Sequence, residues 1–256
     1  MEVLVLGKYS PFPPAGGACS GYWLSSGDTG ILLECGPGVA SRLQAHVPLS
    51  KLSTVILSHL HFDHISDFLA LRYAATPDGR YRQLPPHITV YAPPEPAGTF
   101  SMLSYKGVET VAVPGLGHNE APDESVPVFE ITVGSIKVSF FKVEHPYPAC
   151  AVRFEGSNGK VIAYSGDTRP CQGLYSAAQG ADLFLCEASA IEEDAEFASA
   201  GHMTAVQAGE VARKAGVKRL LLTHIWPFYD EGILLAECRT SFERCEIVGE
   251  GKRYSV

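Results

Sequence analysis

The sequence predicts an α/β fold, and three observations carry that reading. Short apolar runs rich in β-branched residues recur along the 256 residues, helix-period stripes lie between some of them, and histidines and acids gather just beyond several run ends. The runs at 3–6, 31–33, 54–57, 88–91, 128–133, 136–143, 161–164, 183–186 and 220–223 read as strands. A helix is predicted from about 64 to 75, with Ile65, Phe68, Leu69 and Tyr73 at helical spacing and a stop before Thr76-Pro77-Asp78-Gly79. The clearest helix follows His202: Thr204 and Gln207 form a capping box, Val206, Val211 and Ala215 supply an apolar stripe, and Gly216 ends it. A third is predicted from 232 to about 242. Pro/Gly-rich stretches at 11–17 and 114–127 read as loops, the second acidic.

One domain over 1–256 is expected, because a chain of this length with 46% hydrophobic residues can bury a full core and contains no linker-like tract. No run of eighteen apolar residues occurs, and Met1-Glu2-Val3-Leu4-Val5-Leu6-Gly7 lacks the basic start and long apolar stretch of a signal peptide. A cytoplasmic protein without membrane contact is the expectation. Seven cysteines without a repeated spacing fit reduced, buried thiols better than a disulfide framework. A net charge of −8 disfavours nucleic acid as a partner, since polyanions are met by clustered Lys and Arg.

The strongest functional signal is Ser58-His59-Leu60-His61-Phe62-Asp63-His64, directly after the run 54–57. Alternate residues of an extended segment point the same way, so His59, His61 and Asp63 converge on one volume. Metal binding is the chemistry that uses such a set. Four more polar residues follow strand-like runs: His145, Asp167, His202 and His224. In open α/β sheets ligand sites gather at the carboxyl ends of strands, so these segments can meet at one edge.

The chain resembles the metallo-β-lactamase superfamily, whose His-x-His-x-Asp-His signature is matched by His59, His61, Asp63 and His64 and whose later His, Asp, His order is matched by His145, Asp167 and His224. Tyr164-Ser165-Gly166-Asp167-Thr168-Arg169-Pro170-Cys171, Cys186-Glu187-Ala188, Gly201-His202-Met203-Thr204 and Leu222-Thr223-His224 resemble its ribonuclease Z branch of phosphodiesterases. The matching segments span 33–224. The resemblance implies an αββα sandwich of two mixed β-sheets flanked by helices, with two divalent metal ions, zinc or alternatively manganese. By the same resemblance His59, His61 and His145 hold one ion, Asp63, His64 and His224 the other, and Asp167 bridges them. Two metals about 3.5–4 Å apart acidify a shared water and clamp the oxygens of an in-line displacement at phosphorus, so a bridging hydroxide is the expected nucleophile. Asp63 is expected to orient it and accept its proton, and His202 to act as general acid or hydrogen-bond donor.

Two departures from the family pattern matter. Transfer-RNA-processing members carry a long arm between the third histidine and the bridging aspartate, whereas about twenty residues separate His145 from Asp167 here, enough for a hairpin. The segment Glu34-Cys35-Gly36-Pro37-Gly38 carries Glu where the family usually has Asp, which changes the support of the histidines. The expected activity is therefore hydrolysis of small phosphodiesters or cyclic nucleotides. Transfer RNA 3′ processing, a lactonase or thioesterase on the same fold, and a metal-stabilised sensor are the alternatives. Residues 77–86, 114–127 and 11–19 are candidates for the pocket rim, Tyr147 and Arg169 for substrate contact, and a homodimer is implied by resemblance alone.

Overall fold

The computed structural model describes residues 1–75 and 87–256. In chain order the elements are β1 (Glu2–Gly7), β2 (Gly21–Ser26), β3 (Thr29–Leu33), α1 (Val39–His46), β4 (Thr54–Ile56), α2 (Phe62–Leu71), β5 (Ile88–Ala92), α3 (Ala97–Leu103) and β6 (Val108–Ala112). They continue with β7 (Phe129–Val133), β8 (Ile136–Lys142), β9 (Cys150–Gly156), β10 (Val161–Tyr164), α4 (Gln172–Ala178), β11 (Leu183–Glu187), α5 (Ala195–Ala198), α6 (Ala205–Lys214), β12 (Leu220–Thr223), α7 (Glu231–Ser241), β13 (Cys245–Ile247) and β14 (Arg253–Ser255).

Among the described residues the strands form two seven-stranded sheets, ordered β14-β1-β2-β3-β4-β5-β6 and β13-β12-β11-β10-β9-β8-β7. Each is mixed in the same way. Strands β14 to β3 pair antiparallel and β3 to β6 parallel; β7 to β10 pair antiparallel and β10 to β13 parallel.

Side-chain alternation builds four layers. On β1, Val3 and Val5 face an inner cluster shared with Phe140, Val152, Ile162 and Leu221 of the other sheet, while Leu4 and Leu6 face an outer cluster with Val39 and Leu43 of α1 and Ile65 and Phe68 of α2. On the second sheet, Ala163, Phe184, Leu220 and Leu222 pack outward against Leu174 of α4, Ala208 and Val211 of α6 and Leu234 of α7. The result is a helix-sheet-sheet-helix sandwich, as the resemblance implies.

The predicted elements recur with small boundary shifts. Helix α6 carries the predicted capping box, with both Thr204–Gln207 hydrogen bonds formed. The predicted helix at 64–75 begins two residues earlier and passes into a 3-10 turn at Arg72–Ala74; the loop expected at 77–86 lies outside the described residues. The stretch between His145 and Asp167 is the β9–β10 hairpin. All seven cysteines are buried and free. Among the described residues no helix is long and apolar enough to cross a membrane.

Strand polarity positions the site. Strand β10 is antiparallel to β9, which is antiparallel to β8, so β8, β10, β11 and β12 all run the same way and their carboxyl ends share one edge. In the first sheet β1, β3 and β4 likewise end together. The loops leaving these ends carry residues 8–10, 34–38, 57–64, 143–147, 165–169, 188–190 and 224–226.

Candidate metal centre

Residues 57–61 leave β4, and α2 begins at Phe62, which buries His64 and puts Asp63 in a helical first turn, grouped with His64 and His224 and not, as extended backbone would have it, with His59 and His61. The loop 34–38 packs directly beneath. Gly36 is needed there, because a Cβ at this position would meet the Asp63 carbonyl oxygen at 1.8 Å. Glu34 and His224 are the non-glycine residues with positive φ among those described, at 59° and 57°. Both are in the left-handed region, which costs about 1–3 kcal/mol each and concentrates at functional sites.

All seven residues expected as ligands converge. His59 Nε2 lies 2.9 Å from His61 Nδ1, and His145 Nε2 lies 3.2 Å from the same atom. On the other side His64 Nε2 and His224 Nε2 are 3.1 Å apart, with Asp63 Oδ2 at 3.6 and 3.5 Å from them. Between the two groups sits Asp167, whose Oδ2 is 3.5 Å from His59, 3.3 Å from His64 and 3.1 Å from His224. Ligand-capable atoms of His59, His61, His145 and Asp167 form one cluster, and those of Asp63, His64 and His224 a second.

The donor set fits cations on hydrogen-bond grounds. His145 Nδ1 donates to the Gly201 carbonyl at 2.9 Å, which leaves Nε2 as a lone pair. Ser189 donates its proton to Glu187 Oε2 at 2.6 Å, so its oxygen accepts from His224 Nδ1 at 2.8 Å and His224 Nε2 also points inward. His64 Nδ1 faces Glu34 Oε2 at 3.4 Å. Ring nitrogens turned inward within 2.9–3.2 Å of one another, and a buried Asp167 Oδ1 without a hydrogen-bond partner, form a set that a cation satisfies. No cysteine is among the donors, and imidazole with carboxylate suits zinc or manganese.

The titrations of the side chains follow the same charges. Burial lowers His59, and burial with the neighbouring His145 takes His61 down to about 4. Burial also opposes charge on His64 and His224, but Asp167 and Asp63 outweigh it, holding His64 well above its ordinary value and His224 up at about 10. Asp63, despite burial, is lowered to about 2 by His64 and His224.

Outside the seven lies His202, whose ring stacks on His224 at 5.5 Å and meets His145 edge-on at 5.2 Å. Its Nδ1 is 3.2 Å from Glu187 Oε2. Burial opposes a proton there, and the Glu187 carboxylate raises His202 above the usual histidine range. His202 also groups geometrically with Asp167 and His224, but the atom that faces Asp167, Nδ1 at 4.0 Å, is the one occupied by Glu187. Glu187 is wholly buried and also accepts from the Thr168 and Met203 backbone N–H groups.

Three residues at the site had no role in the sequence reading. Ser10 donates to Asp63 Oδ2 at 2.9 Å, Ser189 fixes the His224 ring, and Glu187 anchors His202. For Glu187 a signal existed, a charged residue ending the apolar run 183–186; for the serines there was none. Glu34 accepts from the Ser58 N–H at 2.9 Å while facing His64, so the longer carboxylate spans both. Tyr147 lies against the His61 ring at 4.1 Å. Arg169 is instead paired with Glu144 at 2.9 Å.

Residues 29–225 match the family described as Beta-lactamase superfamily domain, and the chain belongs to that superfamily. Fold and family together make it a metallo-hydrolase of the metallo-β-lactamase fold. It is 33% identical over 242 residues to "Probable metallo-hydrolase YhfI" of Bacillus subtilis (strain 168), covering 94% of each chain. The crystal structure of that protein superposes with a TM-score of 0.86 at 31% identity over 99% of both chains. It is also 29% identical over 293 residues to ribonuclease Z of Ignicoccus hospitalis, with 94% of this chain and 93% of that one covered. The short form of human tRNase Z shares the fold, with a TM-score of 0.77 at 19% identity over 100% and 99% of the two chains.

Proposed function

We propose that this protein is a dinuclear metal-dependent phosphodiesterase acting on small phosphodiesters, cyclic nucleotides among them. The observation that carries it is the seven-donor cluster with His202, held by a buried glutamate, at its side. His59, His61 and His145 would hold one divalent ion, zinc or manganese, Asp63, His64 and His224 the other, and Asp167 both. Such a pair of ions supplies an acidified water near neutral pH and charge neutralisation at a phosphoryl group.

The chain's own residues supply the rest. Glu187 fixes His202 through Nδ1, which leaves Nε2 as the atom that donates a proton to the leaving oxygen. Asp63, oriented by Ser10, accepts a proton from the attacking water. Tyr147 shields the exposed side of His61. The likeness to a ribonuclease Z favours phosphodiester chemistry, while the β9–β10 hairpin leaves no arm between His145 and Asp167 and the net charge of −8 disfavours a polyanion.

A panel of aryl phosphodiester, cyclic nucleotide, lactone, thioester and precursor transfer RNA tests the reading. Phosphodiester turnover should exceed the others. Fast lactone or thioester hydrolysis without phosphodiesterase activity would move the protein to another branch of the fold, and efficient transfer RNA cleavage would restore the processing enzyme.

A further inference from the structure

We propose that Phe12, Phe197, Trp226 and Phe228 form a stacking subsite for a planar aromatic group of the substrate, a nucleobase or an aryl ring, on the rim of the metal centre. The ring centroids lie 5.7 Å (Phe12–Trp226), 5.8 Å (Phe12–Phe228), 6.2 Å (Phe197–Trp226) and 6.4 Å (Trp226–Phe228) apart. Phe12 is 41%, Phe197 54% and Phe228 77% exposed, and none of the four belongs to the hydrophobic clusters that build the layers. A contiguous aromatic patch left in water marks a binding surface.

Each ring hangs from a segment tied to a site residue. Trp226 stands two positions after His224. Phe12 stands two positions after Ser10, which bonds Asp63. The Ile225 N–H donates to the Lys8 carbonyl at 2.8 Å and the Ser10 N–H to the Ile225 carbonyl at 3.1 Å, so these two segments are joined beside the ligands. Phe197 belongs to the turn whose Ala198 carbonyl accepts from the His202 N–H at 2.7 Å.

Size and charge select the occupant. At about 150–250 Å² per aromatic side chain, the exposed portions amount to a few hundred Å², below the roughly 800 Å² that each partner contributes to a stable dimer. Residues 11–17 and 226–229 carry no charge, and 195–200 carry only Glu196, so the rim offers nothing to a row of phosphates. One flat ring, linked to a phosphate that reaches the metal centre, fits both constraints. Stacking tolerates every base, so discrimination among nucleobases should be weak.

The inference rests on the phosphodiesterase reading for the phosphate end of the ligand, and the test separates the two. Trp23 is buried, so the ligand-dependent change in tryptophan fluorescence of the metal-loaded enzyme reads Trp226. Adenosine 5′-monophosphate should quench it saturably, and ribose 5-phosphate, which has the phosphate but no ring, should not. Phe228→Ala should raise the dissociation constant for adenosine 5′-monophosphate about 5–30-fold and lower the preference for aryl over alkyl phosphodiesters by a similar factor, chiefly through KM. The exposure of Phe228 makes a folding defect an unimportant confounder. Equal quenching by both phosphates, or an unchanged dissociation constant in Phe228→Ala, would overturn the subsite. So would dissociation of an oligomer in Phe228→Ala without a change in binding, which would assign the patch to a second copy of the chain. Quenching as expected in an enzyme that cleaves no phosphodiester would support the subsite and remove the proposed reaction.

Discussion

His64 Nε2 and His224 Nε2 face each other across 3.1 Å, one from the first turn of α2 and the other from the residue after β12. Two ring nitrogens at this separation are held together only by a proton or a cation placed between them and the Asp63 and Asp167 carboxylates. The His224 ring is held in that orientation by Ser189, which spends its only proton on Glu187.

Metal content follows from this pairing. Protein purified without added metal and analysed for ions should carry about two per chain, and His61→Ala should lose occupancy and activity together. Ser189→Ala, which touches no proposed ion, should weaken metal affinity by about 10–100-fold, because it releases the His224 tautomer. Wild-type affinity in Ser189→Ala would show that His224 needs no such support.

His202→Ala separates proton donation from metal binding. Metal content should stay near the wild-type value while turnover falls by roughly 10²–10⁴-fold. Equal loss of metal and turnover would make His202 a ligand, the alternative that its proximity to Asp167 and His224 poses.

Glu187→Gln keeps the volume but removes the charge that faces His202 Nδ1. Turnover should fall in the same direction as in His202→Ala, with the pH–rate profile displaced, since the carboxylate holds His202 above its ordinary value. A profile that does not move would leave Glu187 a purely structural residue.

Away from the site, Asp182 provides a stability prediction with a defined pH window. Burial raises its carboxyl, but hydrogen bonds from Lys218, the Val161 N–H and Lys160 outweigh this and bring it down to about 2. A depressed folded-state value stabilises above the unfolded value of about 3.9 and loses that stabilisation as pH falls toward 2. The two lysines are 63% and 44% exposed, so solvent screening limits the effect to about 1–2 kcal/mol. Asp182→Asn should lower the urea midpoint at pH 7, and the gap to wild type should close below about pH 4. A constant gap would mean that packing, and not charge, is what the substitution removes.

What the sequence determined by itself is local. The six-residue stretch from His59 to His64 is readable because its donors are contiguous, although only His59 and His61 lie before the helix and Asp63 turns with α2; α6 is readable because its cap and stripe are contiguous, and most buried strands because fully covered strands are continuously apolar. Strands β2, β6, β9, β13 and β14 had no counterpart in that reading, β2 and β9 for the complementary reason. Gly21-Tyr22-Trp23-Leu24-Ser25-Ser26 contains no β-branched residue, and Cys150 to Gly156 breaks its apolar run with Arg153 and Glu155 on either side of Phe154. Helix α1 buries only Val39 and Leu43, too narrow a stripe to stand out. The tertiary structure decided everything that depends on which strands end together. Ser10 reaches Asp63, Ser189 and Glu187 reach His224 and His202, and Phe12 meets Trp226, because β1, β11 and β12 finish at one edge. A serine or an exposed phenylalanine has no sequence signature of its own; its role comes from contacts between distant segments, as between Phe12 and Trp226.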